Sequence, residues 1–270
     1  MSAAPTALAV AQFAVGDDVE ANLDAIRRLS EDAASRGAML VAFPEYSAYF
    51  SPGLGPDWME HAQPIHGRFV RAVAEIAAEL GIHIVAGMAE RIPDDEHRVA
   101  NTLVALGPDG DLVARYRKLH LFDAFGFKES DRIVPGPIEA PQTFEFGPFT
   151  VGLETCYDLR FPEVTRRLVD AGADLVLVPA QWVPGALKEH QWRTLLAARA
   201  IENEVYVAAP GHIAPAGAGN SLVLDPAGIE VAGLGEREGV AVAWLDHERV
   251  REVRHRNPVL ELRRFTVAPR

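Results

Sequence analysis

Apolar positions along the chain follow two rhythms in turn. Residues 8–15, LAVAQFAV, form a short apolar run that predicts a buried strand. From about Asp18 to Arg36 the apolar residues Leu23, Ile26, Leu29 and Ala33 share one helical face, with Asp17 and Glu20 as the expected capping pair and Gly37 as the stop. MLVAF (39–43) is a continuous apolar strand. The same unit then repeats: RFVRAVAEIAAEL (68–80) predicts a helix ended by Gly81, and IHIVAGM (82–88) predicts a strand. NTLVALG and LVARYRK flank Pro108-Asp109-Gly110, which is a hairpin signal.

Periodicity lapses after residue 118 for roughly twenty residues, LHLFDAFGFKESDRIVPGPIE, too long for a routine connection and therefore read as a functional loop. The strands TFEF and FTVGLET follow and lead into Cys156. A helix from Pro162 to Ala171, the strand DLVLVPA (174–180), a helix across Glu189–Asn203 and the strand VYVAAP (205–210) make a second αβ series. The last part is β-rich, with SLVLD, a Pro226-Ala227-Gly228 turn, IEVAGL and VAVAWL, before a charged helix from about Asp246 and the tail NPVLELRRF.

Strands apolar on both faces, such as DLVLVPA, need cover on both sides, whereas the alternation in LVARYRK points to one exposed face. A mixed sheet packed on a second sheet with helices outside both satisfies the two demands. The expected fold is therefore α/β, a four-layer α-β-β-α sandwich. No fixed-period repeat or low-complexity linker interrupts it, so residues 1–270 are read as one domain.

Composition narrows the function. With 49% hydrophobic and 24% charged residues the chain reads as a soluble globular protein, and no window reaches the ~20 apolar residues of a membrane span. The leading MSAAPTALAVAQF lacks the basic region of a secretory signal, so a cytoplasmic location is expected. A net charge of −12 opposes binding to nucleic acid or acidic membranes, because the summed field repels polyanions. The single cysteine forms no internal disulfide, which leaves Cys156 as either a small buried hydrophobe or a reactive thiol.

A free thiol is only about 3% thiolate at pH 7, so a reactive one needs a base or a cation beside it. Three polar residues stand where predicted strands give way to loops: Glu45 in VAFPEY, Lys118 in YRKLHLF and Cys156 in GLETCYDLRFPE. Strand ends are where α/β folds place ligand sites. In order and spacing, FPEY, RKLHLF and CYDLRFPE resemble the Glu-Lys-Cys signatures of the nitrilase, or carbon–nitrogen hydrolase, superfamily. GADLVLVPA, LLAARAIENEVYV and the Pro-x-Gly turn near residue 226 extend the resemblance over almost the whole chain.

The resemblance implies the α-β-β-α sandwich, a homodimer or higher homo-oligomer, and hydrolysis of nonpeptide C–N bonds of a small-molecule amide with no cofactor and no metal. It makes Cys156 the nucleophile, Glu45 the general base and Lys118 the oxyanion donor, helped by the Tyr157 N–H; Glu129, in FKES, matches a further glutamate that supports the lysine or positions the amide nitrogen. Burial is expected to raise the Glu45 pKa. LHLFDAFGFKESD and GALKEHQWRTLLAARA are most similar to the branch of deaminated glutathione amidases and ω-amidases of 2-oxoglutaramate, with aliphatic nitrilases and N-carbamoyl hydrolases ranked below.

Three residues stand apart. Glu154 falls where the family commonly carries a small or apolar residue; strand alternation puts it on the Cys156 face, and it is read as a structural carboxylate in preference to a group touching substrate. Lys188 in QWVPGALKEH is either a contact for substrate carboxylates or a solvated loop lysine. Trp182 in the same loop is read as a wall of the pocket. The histidines show neither H-x-H nor H-x-x-x-H spacing, and none of His120, His190 and His212 accompanies a cysteine-protease signature. The GLG at 53–55 and the GAG at 217–219 are turns, not a dinucleotide fingerprint. A noncatalytic scaffold on the same fold is the alternative from another class, and acyl transfer to an amine is the other reaction open to an acyl-enzyme.

Overall fold

Period-two strands and period-3.6 helices appear in the expected order in the computed structural model, which describes residues 6–269; the first five residues of the leading segment lie outside the described residues. In chain order the elements are β1 (Thr6–Gln12), α1 (Val19–Ser35), β2 (Leu40–Ala42), α2 (Asp57–His61), α3 (Arg68–Leu80), β3 (His83–Arg91), β4 (Val99–Leu106) and β5 (Leu112–Arg117). The irregular stretch holds β6 (Asp123–Ala124), β7 (Phe127–Lys128) and β8 (Ile133–Val134). Then come β9 (Thr143–Phe146), β10 (Phe149–Leu153), α4 (Pro162–Asp170), β11 (Leu175–Leu177), α5 (Lys188–Asn203) and β12 (Tyr206–Ala209), followed by β13 (Leu222–Leu224), β14 (Glu230–Gly233), β15 (Gly239–Leu245) and α6 (His247–Arg256).

Two sheets form, one in the order β15-β1-β2-β3-β4-β5 with β8 beside β4, the other β14-β13-β12-β11-β10-β9. Alternation along each strand sorts its side chains into layers. Leu8, Val10, Leu40 and Val85 of the first sheet meet Phe146, Phe149, Val151 and Leu175 of the second in the central core. Their neighbours Ala9, Ala11, Val41 and Ile84 turn the other way, onto Leu23 and Ile26 of α1 and Phe69 and Val73 of α3. On the far side Val176, Val178 and Val207 pack against Leu168 of α4 and Trp192 and Leu196 of α5. Each large apolar side chain so buried contributes about 1.5–3 kcal/mol by leaving water. The result is the α-β-β-α sandwich.

Topology puts several loops at one end. β1, β2 and β3 are parallel, and two antiparallel steps through β4 return β5 to the same direction. In the other sheet β10, β11 and β12 are parallel. Glu45 therefore follows the C-terminal end of β2, Lys118 that of β5 and Cys156 that of β10.

Several local expectations are corrected. The first strand stops at Gln12, whose side-chain amide donates to the Gly235 and Arg237 carbonyls. Asp18, not Asp17, caps α1, accepting from the Glu20 and Ala21 N–H groups. Helix α2 is too short to register as a period; it is held by Trp58, whose indole meets the rings of Tyr46, Tyr49 and Phe50 edge-on. Gly81 ends α3 as expected, at φ 64° in the left-handed region. No helix among the described residues is long and apolar enough to cross a membrane.

Candidate active site

The turn after β2 carries Glu45 inward. Its sharpness depends on Gly87 of β3, where a Cβ would stand 2.4 Å from the Tyr46 nitrogen, and Tyr46 itself takes the left-handed φ of 56°. The Glu45 carboxylate is fully ligated: Oε1 accepts from Asn101 Nδ2 at 2.6 Å and Lys118 Nζ at 3.0 Å, and Oε2 from the Gln181 backbone N–H at 2.7 Å. Lys118 Nζ also reaches Glu129 Oε1 and Oε2, at 3.1 and 3.0 Å. Glu129 is tied in turn to the Tyr46 hydroxyl at 3.0 Å and the Phe122 N–H at 2.5 Å.

Cys156 sits against this cluster. It follows β10 with φ 48°, left-handed for a non-glycine residue, and its N–H is held by the Pro179 carbonyl at 3.0 Å. The turn is clamped by buried Asp158, which accepts from Tyr116 Oη at 2.7 Å, from the His120 N–H at 2.9 Å and from the Thr155 N–H at 3.3 Å, while His120 Nδ1 lies at 2.8 Å. Asp158 thus ties the cysteine turn to the segment after Lys118. His120 is occupied by this carboxylate and by stacking on Phe161 at 3.7 Å between ring centroids.

Electrostatics sets the protonation pattern. Burial pushes the Lys118 ammonium down, but Glu129 and Glu45 outweigh it and hold its pKa well above the ordinary value. Opposite charges about 4 Å apart attract by about 4 kcal/mol at an effective dielectric of 20. Burial pushes Glu45 up, and Lys118, the Gln181 N–H and Asn101 more than compensate, leaving its pKa lowered. The expectation of a raised Glu45 is therefore corrected: the carboxylate is charged. Burial and then the Glu45 charge drive the Cys156 thiol well above its usual range, although Lys118 opposes them. Two carboxylates against one ammonium leave no room for a thiolate at rest. The thiol keeps its proton, and Sγ–H donates to the Gln181 backbone carbonyl at 3.8 Å.

Glu45, Lys118, Glu129, Cys156, Tyr157, Trp182 and Lys188 all line one cavity of about 790 Å³. Trp182 walls it, burying its ring against Trp192 and donating Nε1–H to the Lys188 carbonyl at 2.8 Å. Lys188 is half-buried and stands over aromatic faces: its Nζ lies 4.3 Å from the Phe125 ring centroid and 5.4 Å from that of Phe122, and burial followed by Arg160 lowers its pKa. Arg160, which sequence reasoning missed, lines the same cavity with its guanidinium 5.0 Å over Trp182 and one nitrogen 2.7 Å from Gln191 Oε1. Among the described residues neither cation meets a carboxylate within 4.0 Å.

Glu154 is not on the cavity wall. The strand ends at Leu153, and the left-handed Cys156 breaks the alternation that would have aligned the two side chains. Glu154 Oε2 instead accepts from Thr165 Oγ1 of α4 at 2.7 Å, and burial raises its pKa to about 8. Asn101, Tyr46 and Asp158 also escaped the sequence reading. Asn101 and Asp158 left a trace, a polar residue within an apolar strand and an acid two places after the cysteine.

The carbon-nitrogen hydrolase family profile matches residues 7–255. The chain belongs to the carbon–nitrogen hydrolase family. Within this family it is 38% identical over 258 residues to the deaminated glutathione amidase of Escherichia coli O157:H7, covering 96% of this chain and 97% of that one. It is 33% identical to the omega-amidase NIT2 of Xenopus tropicalis, over 95% and 94% of the two chains. Among solved structures, an amidase from Nesterenkonia sp. superposes with a TM-score of 0.80 at 28% identity, over 95% and 97% of the two chains.

Proposed function

We propose that this carbon–nitrogen hydrolase cleaves the ω-amide of a small 2-oxo acid, of the deaminated glutathione or 2-oxoglutaramate kind, through a Cys156 acyl-thioester. The observation that carries the mechanism is the bridge Glu45–Lys118–Glu129, with Lys118 Nζ 3.0 Å from each carboxylate, lining the same cavity as Cys156. As the Cys156 sulfur attacks the amide carbon, its proton passes to Glu45. The carbonyl oxygen gains the electron pair and is received by the Lys118 ammonium and by the Tyr157 N–H. Collapse breaks the C–N bond while Glu45 returns the proton to the leaving nitrogen, releasing ammonia or an amine. Water then gives a proton to Glu45, attacks the thioester and frees the carboxylic acid with the thiol restored. Glu129 keeps Lys118 in place throughout.

The substrate class rests on the two cations that have no carboxylate partner among the described residues. Arg160 and Lys188 stand on one cavity wall, suited to the carboxylate of the 2-oxo acid, and relatives of similar length carry deaminated glutathione amidase and omega-amidase names. We assign the chain to a homo-oligomer of cytoplasmic type on the family resemblance; Arg263 of the tail folds back to Asp170 at 2.6 Å, which leaves Leu262 and Phe265 exposed for a second copy. Hydrolysis of deaminated glutathione, 2-oxoglutaramate and a simple nitrile, measured side by side with Cys156→Ala as control, tests the reading. Turnover of the nitrile alone, or of none of the three, overturns it. Hydroxylamine added to a reacting amide must yield the hydroxamate if a thioester forms.

A further inference from the structure

His212 is fully buried and takes no part in the steps above. It follows β12, at the mouth of the second sheet, with its N–H held by the Ala180 carbonyl at 3.2 Å and its own carbonyl accepting from the Gly219 N–H at 2.8 Å. Its side chain crosses to the other sheet. Nε2 lies 2.6 Å from the backbone oxygen of Glu45, 167 residues away in sequence. A carbonyl only accepts, so Nε2 carries the proton and donates, which leaves Nδ1 as the bare nitrogen; that atom is buried without a partner among the described residues. Phe50 closes the imidazole from the side, edge-on at 5.3 Å.

The Glu45 carbonyl is the hinge of the turn that aims the carboxylate. The next residue, Tyr46, is held in the left-handed region, which a non-glycine side chain disfavours and which persists only where the surroundings fix it. Gly87 supports the turn from beneath by its lack of a side chain. His212 supports it from the opposite sheet by a directed bond. Swinging this peptide plane would move two groups together: the Glu45 carboxylate beside Cys156, and the Tyr46 hydroxyl on Glu129.

We infer that His212 is a positioning residue for Glu45, its Nε2–H fixing the Glu45 carbonyl and so the direction in which the carboxylate meets the thiol. This rests on Glu45 being the base proposed above. The imidazole stays neutral through the working range because burial lowers its pKa to about 4, so the bond does not change character with pH near neutrality.

Glutamine places an N–H near the Nε2 position and asparagine does not, so His212→Gln and His212→Asn separate the bond from mere filling of space. In the full-length protein, kcat and KM for 2-oxoglutaramate are measured with the pH profile of Cys156 alkylation by iodoacetamide, which needs no substrate. Circular dichroism melts confirm folding. His212→Asn is expected to lower kcat about 10- to 100-fold with KM within about two-fold, the scale of an ångström of misplacement, and to displace the alkylation profile. His212→Gln should recover most of both. Two outcomes overturn the inference: a folded His212→Asn with the parent's kcat and profile, or Gln and Asn equally impaired. Glu45→Gln separates this from the underlying reading: if it abolishes hydrolysis while His212→Asn behaves as the parent, only the His212 inference falls, and if Glu45→Gln is itself active, both fall.

Discussion

The Gln181 backbone N–H donates to Glu45 Oε2 at 2.7 Å across a sequence separation of 136 residues. The bond joins the segment after β11 to the turn after β2, so the carboxylate is held by both sheets of the sandwich. The carboxylate is oriented by main chain on one oxygen and by Asn101 and Lys118 on the other. Such a carboxylate cannot rotate freely, and substitutions around it should be read in the chemistry before they are read in stability.

Replacing Glu45 by Gln keeps the shape and removes the base. We expect kcat to fall by about 10²- to 10⁴-fold, the usual worth of general acid–base catalysis, with the melting temperature little changed. A steady-state assay on the ω-amide that returns a kcat within about three-fold of the parent would remove Glu45 from the mechanism.

Asn101→Ala deletes a donor to the charged form of Glu45. A carboxylate that loses such a bond becomes easier to protonate, so the acid limb of kcat/KM should move to higher pH. A limb unmoved, or moved to lower pH, contradicts the assignment of that limb to Glu45.

Arg160→Met and Lys188→Met should act on KM. Loss of a charge-assisted hydrogen bond to a substrate carboxylate, about 1.5–3 kcal/mol, corresponds to roughly a ten- to hundred-fold rise for an anionic ω-amide. A neutral amide of the same length serves as the control and should bind as before. Equal effects on both substrates would mean that the two cations shape the wall without reading charge.

Glu154→Gln tests a buried acid. Its folded pKa of about 8 lies above the ordinary 4.5, so the fold binds the proton more tightly than the unfolded chain does. The stabilisation is whole below about pH 4.5, shrinks as pH rises and is gone above about pH 8, each pH unit between those two values being worth about 1.4 kcal/mol. The groups around it are Asp158 and Glu202, which discourage a further negative charge, Arg199, which favours it, and Thr165, which donates to Oε2. The glutamine variant should melt close to the parent at about pH 4 and several degrees above it at pH 9. Parallel melting curves across that range would show that Glu154 does not titrate.

Much of the fold was legible because it follows from local rules. Strand alternation and helical spacing are properties of neighbouring residues, and α3, α5 and the strands around them stand where the pattern put them. The misses share one cause, a dependence on contacts that no short window of sequence contains. Helix α2 is five residues long and exists because Trp58 finds three aromatic rings to pack on. Glu154 left the predicted face because a single left-handed residue, Cys156, ended the alternation, and that turn is held by groups from other strands.

By itself, then, the chain determined its layers, its strand ends and the three residue types, Glu45, Lys118 and Cys156, that gather there, since these depend on periodicity and on motifs a few residues long. Only the tertiary structure decided which ligands each of them has: that Lys118 is shared by two glutamates, that Glu45 is charged and not neutral, that Arg160 joins Lys188 on the wall, and that His212 reaches across to the Glu45 turn. The physical reason is that protonation and orientation come from groups within a few ångströms in space, and in a two-sheet sandwich those groups arrive from segments 11 to 167 residues apart.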